Sequence, residues 1–187
     1  MGRQETFDVA VVGGGPAGLT AAYHAAGHGV RVVLVDRKVV PGEKIAISGG
    51  GRCNILPTTV DPAAYVTDSS KHTLRKMLLS WPLDEVRAFL ERDIGLRLRR
   101  EAGTGKFFPA RGGGAEVRRR LLLAVQDSGV RLDTKTLVTG IYPGAPHRVR
   151  IEDGTSIGAH CVIVATGGLS YRRTGSDGTG FEIARQL

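Results

Sequence analysis

Residues 13 to 18 read Gly-Gly-Gly-Pro-Ala-Gly, and the residues on either side give that string its meaning. Phe7, Val9, Ala10, Val11 and Val12 form a short β-prone run before it, and Leu19 to His28 is alanine-rich and helix-prone after it. Strand, tight turn and helix in that order make a βα unit whose turn is shaped for an anion. Gly13 can take the φ that the turn demands. Gly15 lets the backbone approach a pyrophosphate with no Cβ in the way, and Gly18 lets the helix pack closely on the strand. Pro16 has no N–H and presets φ for the first helical position, so the remaining N–H groups and the positive end of the helix dipole face the phosphates.

A second element follows at the expected distance. Val32-Val33-Leu34-Val35 is a continuous apolar run of the kind found in a buried parallel strand. Asp36 ends it 18 residues after Gly18, close to the offset at which an acid accepts ribose hydroxyls. A glycine triplet alone recurs by chance in a chain with 27 glycines. Strand, helix and acid together point to a dinucleotide and leave an ordinary βα turn as the lesser alternative. The Asp36 carboxylate also disfavours a 2′-phosphate in this site, hence NADP.

The 187 residues are 41% hydrophobic and 24% charged, which suits a single globular domain, and one domain over 1–187 is expected. No run approaches the ~18 apolar residues needed to cross a bilayer. The N-terminus leads into the first strand without the apolar core of a signal peptide, so no membrane association and a cytoplasmic location are expected. Cys53 and Cys161 stand far apart, with no Cys-x-x-Cys pair and no histidines at zinc-ligand spacing, so neither a metal site nor a dithiol centre is expected. The net charge of +8 raises the question of an acidic partner such as nucleic acid. The arginines are spread along the chain, and the densest cluster, Arg118-Arg119-Arg120, precedes Leu121-Leu122-Leu123. A solvated helix face is the favoured explanation, and a nucleic-acid partner is not expected.

Beyond Asp36 the pattern breaks into a loop from Val40 to Asn54, where Gly49-Gly50-Gly51 suggests a backbone passing close to something flat. Pro62 to Leu79 and Leu83 to Arg92 are expected as helices inserted between nucleotide-binding strands. Leu96 to Arg100 and Lys106 to Pro109 are expected as short extended pieces, and Ala115 to Gln126 as a helix that Gly129 stops. Val130 to Leu132 is expected as a parallel strand. Leu137 to Tyr142 and Arg148 to Glu152 are expected as a small antiparallel meander with its turn at Asp153-Gly154. A last strand through Cys161 to Ala165 should return to the main sheet, with Cys161 in the core, and place Ala165-Thr166-Gly167-Gly168 at the carboxyl edge beside the first turn. The chain then enters a glycine-rich loop, Thr174 to Gly180, and a helix starting near Phe181. The lack of a helix stop suggests that a larger protein continues beyond this segment.

Gly13 to Gly18, Asp36, the string Gly42 to Asn54 with its Ser-Gly-Gly-Gly-Arg-Cys-Asn, Phe107-Phe108-Pro109 and Ala165 to Tyr171 together resemble the BaiN-like flavoproteins. These are FAD-dependent oxidoreductases that include aminoacetone-oxidase-type members. The resemblance spans essentially all of the chain but only the N-terminal part of the family's architecture. It implies an α/β, Rossmann-like FAD/NAD(P)-binding fold with a parallel sheet, a helical insertion and a small antiparallel meander. It implies that Gly13, Gly15, Pro16, Ala17 and Gly18 hold the FAD pyrophosphate and that Asp36 and Arg37 hold the adenosine ribose. Lys44 belongs to the same cofactor-binding set. Ser48, Gly49, Gly50, Gly51, Arg52, Cys53 and Asn54 would face the isoalloxazine, the Val138 backbone would meet adenine, and Ala165, Thr166, Gly167 and Gly168 would close over the dinucleotide. The family has Glu where Asp36 stands, Thr-Asn where Leu56-Pro57 stands and Pro where Arg172 stands.

The expected activity is transfer of a hydride or electron pair between a small-molecule substrate or NAD(P)H and FAD, with NAD(P)H a transient donor. A non-catalytic nucleotide-binding fragment and an RNA-modifying flavoprotein are the alternatives. No residue stands out as catalytic acid or base. Cys53, next to Arg52, is expected as a small packing residue beside the ring rather than a redox thiol.

Overall fold

The computed structural model describes residues 5–187, and in it the apolar run before the glycine string is β1 (Thr6–Val12). Helix α1 (Pro16–Ala26) follows, then β2 (Val32–Val35), which runs parallel to β1 with Val11 opposite Leu34. Val33, Leu34 and Val35 are almost wholly excluded from solvent, as strands covered on both faces must be. Contacts divide the chain into two units, one of residues up to Ile45 together with Leu121–Leu187, the other Ala46–Arg120.

The first unit is organised by a six-stranded sheet in the order β6-β2-β1-β9-β8-β7. Here β6 is Arg131–Asp133, β7 Val138–Tyr142, β8 His147–Ile151 and β9 Ser156–Val164. Strand β6 pairs parallel with β2, and β9 pairs parallel with β1, Val12 lying opposite Val164. On its other edge β9 pairs antiparallel with β8, which pairs antiparallel with β7. The expected meander therefore exists but is continuous with the main sheet, because one long strand serves both ladders. Helix α1 packs on β1, β2 and β9, and α6 (Thr179–Arg185) packs on β7. Phe7, Ala10, Val12, Val33, Val138, Ile141, Val149, Ile157 and Ile183 form one buried cluster.

Cys161 is exposed, contrary to the core position its apolar neighbours suggested. Strand β9 is buried at Ile157, Gly158 and Ala159, but from His160 onward its residues are only partly covered or exposed. An apolar run signals burial on both faces only where other elements cover both faces.

The second unit holds a three-stranded antiparallel sheet in the order β3-β5-β4, built from Leu56–Pro57, Lys106–Pro109 and Leu98–Glu101. Its helices are α3 (Lys71–Leu79) and α4 (Leu83–Ala88), the latter running into a wider turn at Phe89–Asp93. That turn is closed by the Ile94 N–H donating to Phe89 O at 3.1 Å. The single helix expected from Pro62 is split. Asp61 caps a short 3₁₀ turn by accepting from the Ala63 N–H at 2.9 Å, Thr67 accepts from the Ser69 N–H at 3.0 Å, and Ser70 caps α3. Short polar side chains here compete with helical hydrogen bonding. Helices α2 (Glu43–Ile47) and α5 (Gly113–Asp127) run across the division between units, and α2 lies where a loop was expected.

Ile183 is 1% exposed and joins α6 to the central cluster. Ile183→Ala should therefore destabilise the protein by about 2–4 kcal/mol through lost burial and a residual cavity. Urea denaturation followed by circular dichroism checks this, and an unchanged midpoint would mean that α6 is not part of the cooperative core.

Candidate dinucleotide-binding site

Strands β1 and β9 end side by side, and the neighbours that flank β1 connect in opposite directions, so the crevice beyond Val12 and Val164 is a topological switch point. Gly13 has φ +103°, and a Cβ there would sit 2.6 Å from Ala165 O and 2.8 Å from Thr166 Cα. A Cβ on Gly18 would be driven into Gly13 O. At Gly15 the result is opposite, since a Cβ would meet no protein atom within 4 Å. The protein itself needs glycine at 13 and 18. At 15 the requirement has to come from whatever fills the open space. Leu19 N–H makes the first helical bond, to Gly15 O at 2.9 Å, and the N–H groups of Ala17 and Gly18 in the first turn have no intrahelical carbonyl to reach. An anion with an ester backbone fits this cradle.

Asp36 is clamped. Its Oδ2 accepts from the Gly14 N–H at 2.5 Å and its Oδ1 from the Lys38 N–H at 2.7 Å. Its own N–H donates to Asp133 O at 2.9 Å, and its carbonyl accepts from the Thr136 N–H at 2.9 Å. The acid thus ties the glycine turn to the end of β2, a task the sequence did not reveal. An ionised carboxylate has about four lone-pair positions, so two remain for hydroxyl donors.

The crevice has a volume of about 610 Å³ and is lined from the first unit, a size suited to a ligand of nucleotide scale. Of the residues singled out in the sequence, it brings together Gly13, Gly15, Pro16, Ala17, Asp36, Arg37, Lys44, Val138, Ala165, Thr166, Gly167 and Gly168. Gly18 is buried in α1. Ser176 also lines the crevice although the sequence gave it no role; it is 4% exposed. Lys44 Nζ donates to Ser176 Oγ and, at 2.7 Å, to Ser170 Oγ. Lys38 Nζ donates to Arg173 O at 2.8 Å and pairs with Glu43 at 3.0 Å. Arg37 Nη1 lies 2.5 Å from Asp177 Oδ2. Three cations between residues 37 and 44 thus hold the loop 170–177. Burial works to raise the Asp177 pKa, but bonds from Thr179 and Arg37 outweigh it and hold the carboxyl at about 2.

Ser48 to Asn54 lies in the second unit. Gly49, Gly50 and Gly51 all have positive φ, from +55° to +84°, and Cys53 has φ +59°. The Cys53 N–H closes the turn on Ser48 O at 3.0 Å. Arg52 pairs with Glu101 and covers the Phe108 ring at 4.5 Å. Cys53 is buried, which suits packing better than thiol chemistry. Among the described residues no group of His, Cys, Asp and Glu is arranged to hold a metal, and no helix is long and apolar enough to cross a membrane.

The family model described as the HI0933-like protein Rossmann domain matches residues 7–187. The chain belongs to this family. Over 183 residues it is 27% identical to the ribosomal RNA dihydrouridine synthase of Escherichia coli, covering 98% of this chain and 45% of that protein. It is 28% identical over 181 residues to the 3-dehydro-bile acid delta(4,6)-reductase of Clostridium scindens, covering 96% of this chain and 43% of that one. The chain therefore spans less than half the length of these relatives. The open conformation of a flavocytochrome c3 fumarate reductase superposes with a TM-score of 0.67 at 21% identity, over 99% of this chain and 41% of that one, which supports the Rossmann-type fold of this family member.

The glycines of the turn separate under mutation. Gly15→Val should leave the thermal midpoint nearly unchanged while removing nucleotide binding, because its side chain enters ligand space alone. Gly18→Ala should cost about 1–3 kcal/mol of stability by overpacking. Calorimetry with ADP and thermal melts of both variants test the pair, and nucleotide affinity retained by Gly15→Val would place the phosphates elsewhere.

Proposed function

We propose that this chain is the dinucleotide-binding portion of an FAD-dependent oxidoreductase. The observation that carries the reading is the open space at Gly15, set on a helix N-terminus and beside Asp36. Gly13, Gly15, Pro16, Ala17 and Gly18 would hold the pyrophosphate and Asp36 the adenosine ribose, with Arg37 beside it in the crevice lining but paired with Asp177, and Val138 with Ala165 to Gly168 would form the walls of the crevice. Ser48 to Asn54 would meet the isoalloxazine. Bound FAD supplies two-electron chemistry, exchanging a hydride or electron pair with a small-molecule substrate or with NAD(P)H. The residues of this chain bind and orient it: the first turn of α1 offers N–H groups to phosphate oxygens, and the clamp on Asp36 keeps its free lone pairs aimed at the ribose. Family membership and relatives named as reductases support the oxidoreductase class.

FAD should co-purify and give the visible absorption of a flavin. Asp36→Ala should weaken ADP binding by about 1–3 kcal/mol, since it removes both a charged acceptor and the bond that positions Gly14. Titration calorimetry measures this, and affinities equal to the parent's would remove the ribose from Asp36.

A second reading, an RNA-directed flavoprotein, rests on where the charge lies. The second unit carries 14 Lys and Arg against eight Asp and Glu, so about three quarters of the net +8 is there. Part of that charge is neutralised locally. Bonds from Arg119 and Arg120 hold the Glu116 carboxyl at about 2, as a solvated helix face would. Arg97, Arg99, Arg100 and Lys106 remain exposed. RNA contact through several phosphates should weaken steeply between about 50 and 200 mM salt. Filter binding with a structured RNA tests it, and weak, salt-insensitive retention would leave the charge as a solvated face.

A further inference from the structure

The neighbourhood of Asp36 decides more than whether adenosine binds. A site for a 2′-phosphorylated adenosine places a cation close to the ribose acid, and two cations follow Asp36 directly, Arg37 and Lys38. Both line the crevice, and both are already paired with carboxylates, Arg37 with Asp177 at 2.5 Å and Lys38 with Glu43 at 3.0 Å. Lys44, the other cation of the crevice lining, donates to two neutral hydroxyls instead, and among the described residues no carboxylate is paired with it. Positive charge is thus cancelled at the ribose end and left in place at Lys44.

Resting on the adenosine reading of this crevice, we propose that Asp177 is a specificity-determining residue: by engaging Arg37 it withdraws the cation that would accept a 2′-phosphate, so the site takes an unphosphorylated adenosine ribose and refuses the 2′-phosphorylated one. Asp177 is well held for this task. Its Oδ1 accepts from the Thr179 N–H at 3.2 Å and the Thr179 hydroxyl at 2.7 Å, which leaves Oδ2 for the guanidinium. The two oxygens have separate partners, so Asp177→Asn can keep the Thr179 bonds through its amide oxygen while replacing the acceptor for Arg37 by a donor.

The test compares ADP-ribose with its 2′-phosphate by titration calorimetry at low ionic strength on the chain as it stands. The parent should prefer ADP-ribose by more than about tenfold, as expected for like charges facing each other in a crevice. Asp177→Asn should narrow that preference at least about fivefold, mainly by tighter binding of the phosphorylated ligand to the released Arg37. Adding Arg37→Gln to Asp177→Asn should restore the preference. The single variant Arg37→Gln should leave the preference ratio near the parent's, a measurement that does not depend on the folding of Asp177→Asn. A ratio unaltered in a folded Asp177→Asn, or a ratio that Arg37→Gln alone shifts strongly against the phosphate, overturns the inference while leaving the adenosine site intact. Absence of ADP-ribose binding to the parent overturns the adenosine reading itself and the inference with it.

Discussion

The site depends on a close approach of backbone to backbone at the switch point of the sheet. Gly13 lies against the peptide between Ala165 and Thr166, and Gly18 lies against the Gly13 carbonyl, so turn, helix and the end of β9 meet with no room for a methyl group. Atoms at van der Waals distance yield little to a mutation. This crowding fixes where α1 begins, and hence where its first-turn N–H groups point. Gly15 sits at the one place in the turn where the crowding stops.

Polar contacts then set the shape of the crevice mouth. Asp36 bonds the glycine turn to the segment after β2, and Arg37, Lys38 and Lys44 in that segment bond to residues 170–177. Each contact taken alone is partly exposed and worth little. Together they order two loops that have few apolar side chains to order them, at the end of the sheet where doubly wound folds place their ligands.

The second unit shows how a basic sequence is partly self-neutralised. Arg52 covers Phe108 and pairs with Glu101, Arg87 covers Phe107 and pairs with Glu91, and Arg119 and Arg120 share Glu116. Arginine stems and planar guanidinium groups on aromatic faces contribute packing as well as charge. A count of formal charges therefore overstates what is available to a partner; even on β4 the exposed Arg99 lies 3.8 Å from Glu101.

The sequence by itself determined the βα unit, the acid at the end of β2, the parallel return of β9 and the placement of Ala165 to Gly168 beside the first turn. These follow from local rules: glycine where φ or spacing excludes a side chain, and apolar runs where a strand is covered. Helix α2 was not legible, since five residues are too few to display a helical period. Nor was the exposure of Cys161, because a strand's burial depends on which elements lie over it. Ser170, Ser176 and Asp177 carried no signal for the same reason, since their partners Lys44 and Arg37 stand 126 to 140 residues away. Only the tertiary structure brought those groups together, and only it showed that the charges flanking Asp36 are already spent on carboxylates, because pairing across such distances is a property of the folded sheet and of no segment within it.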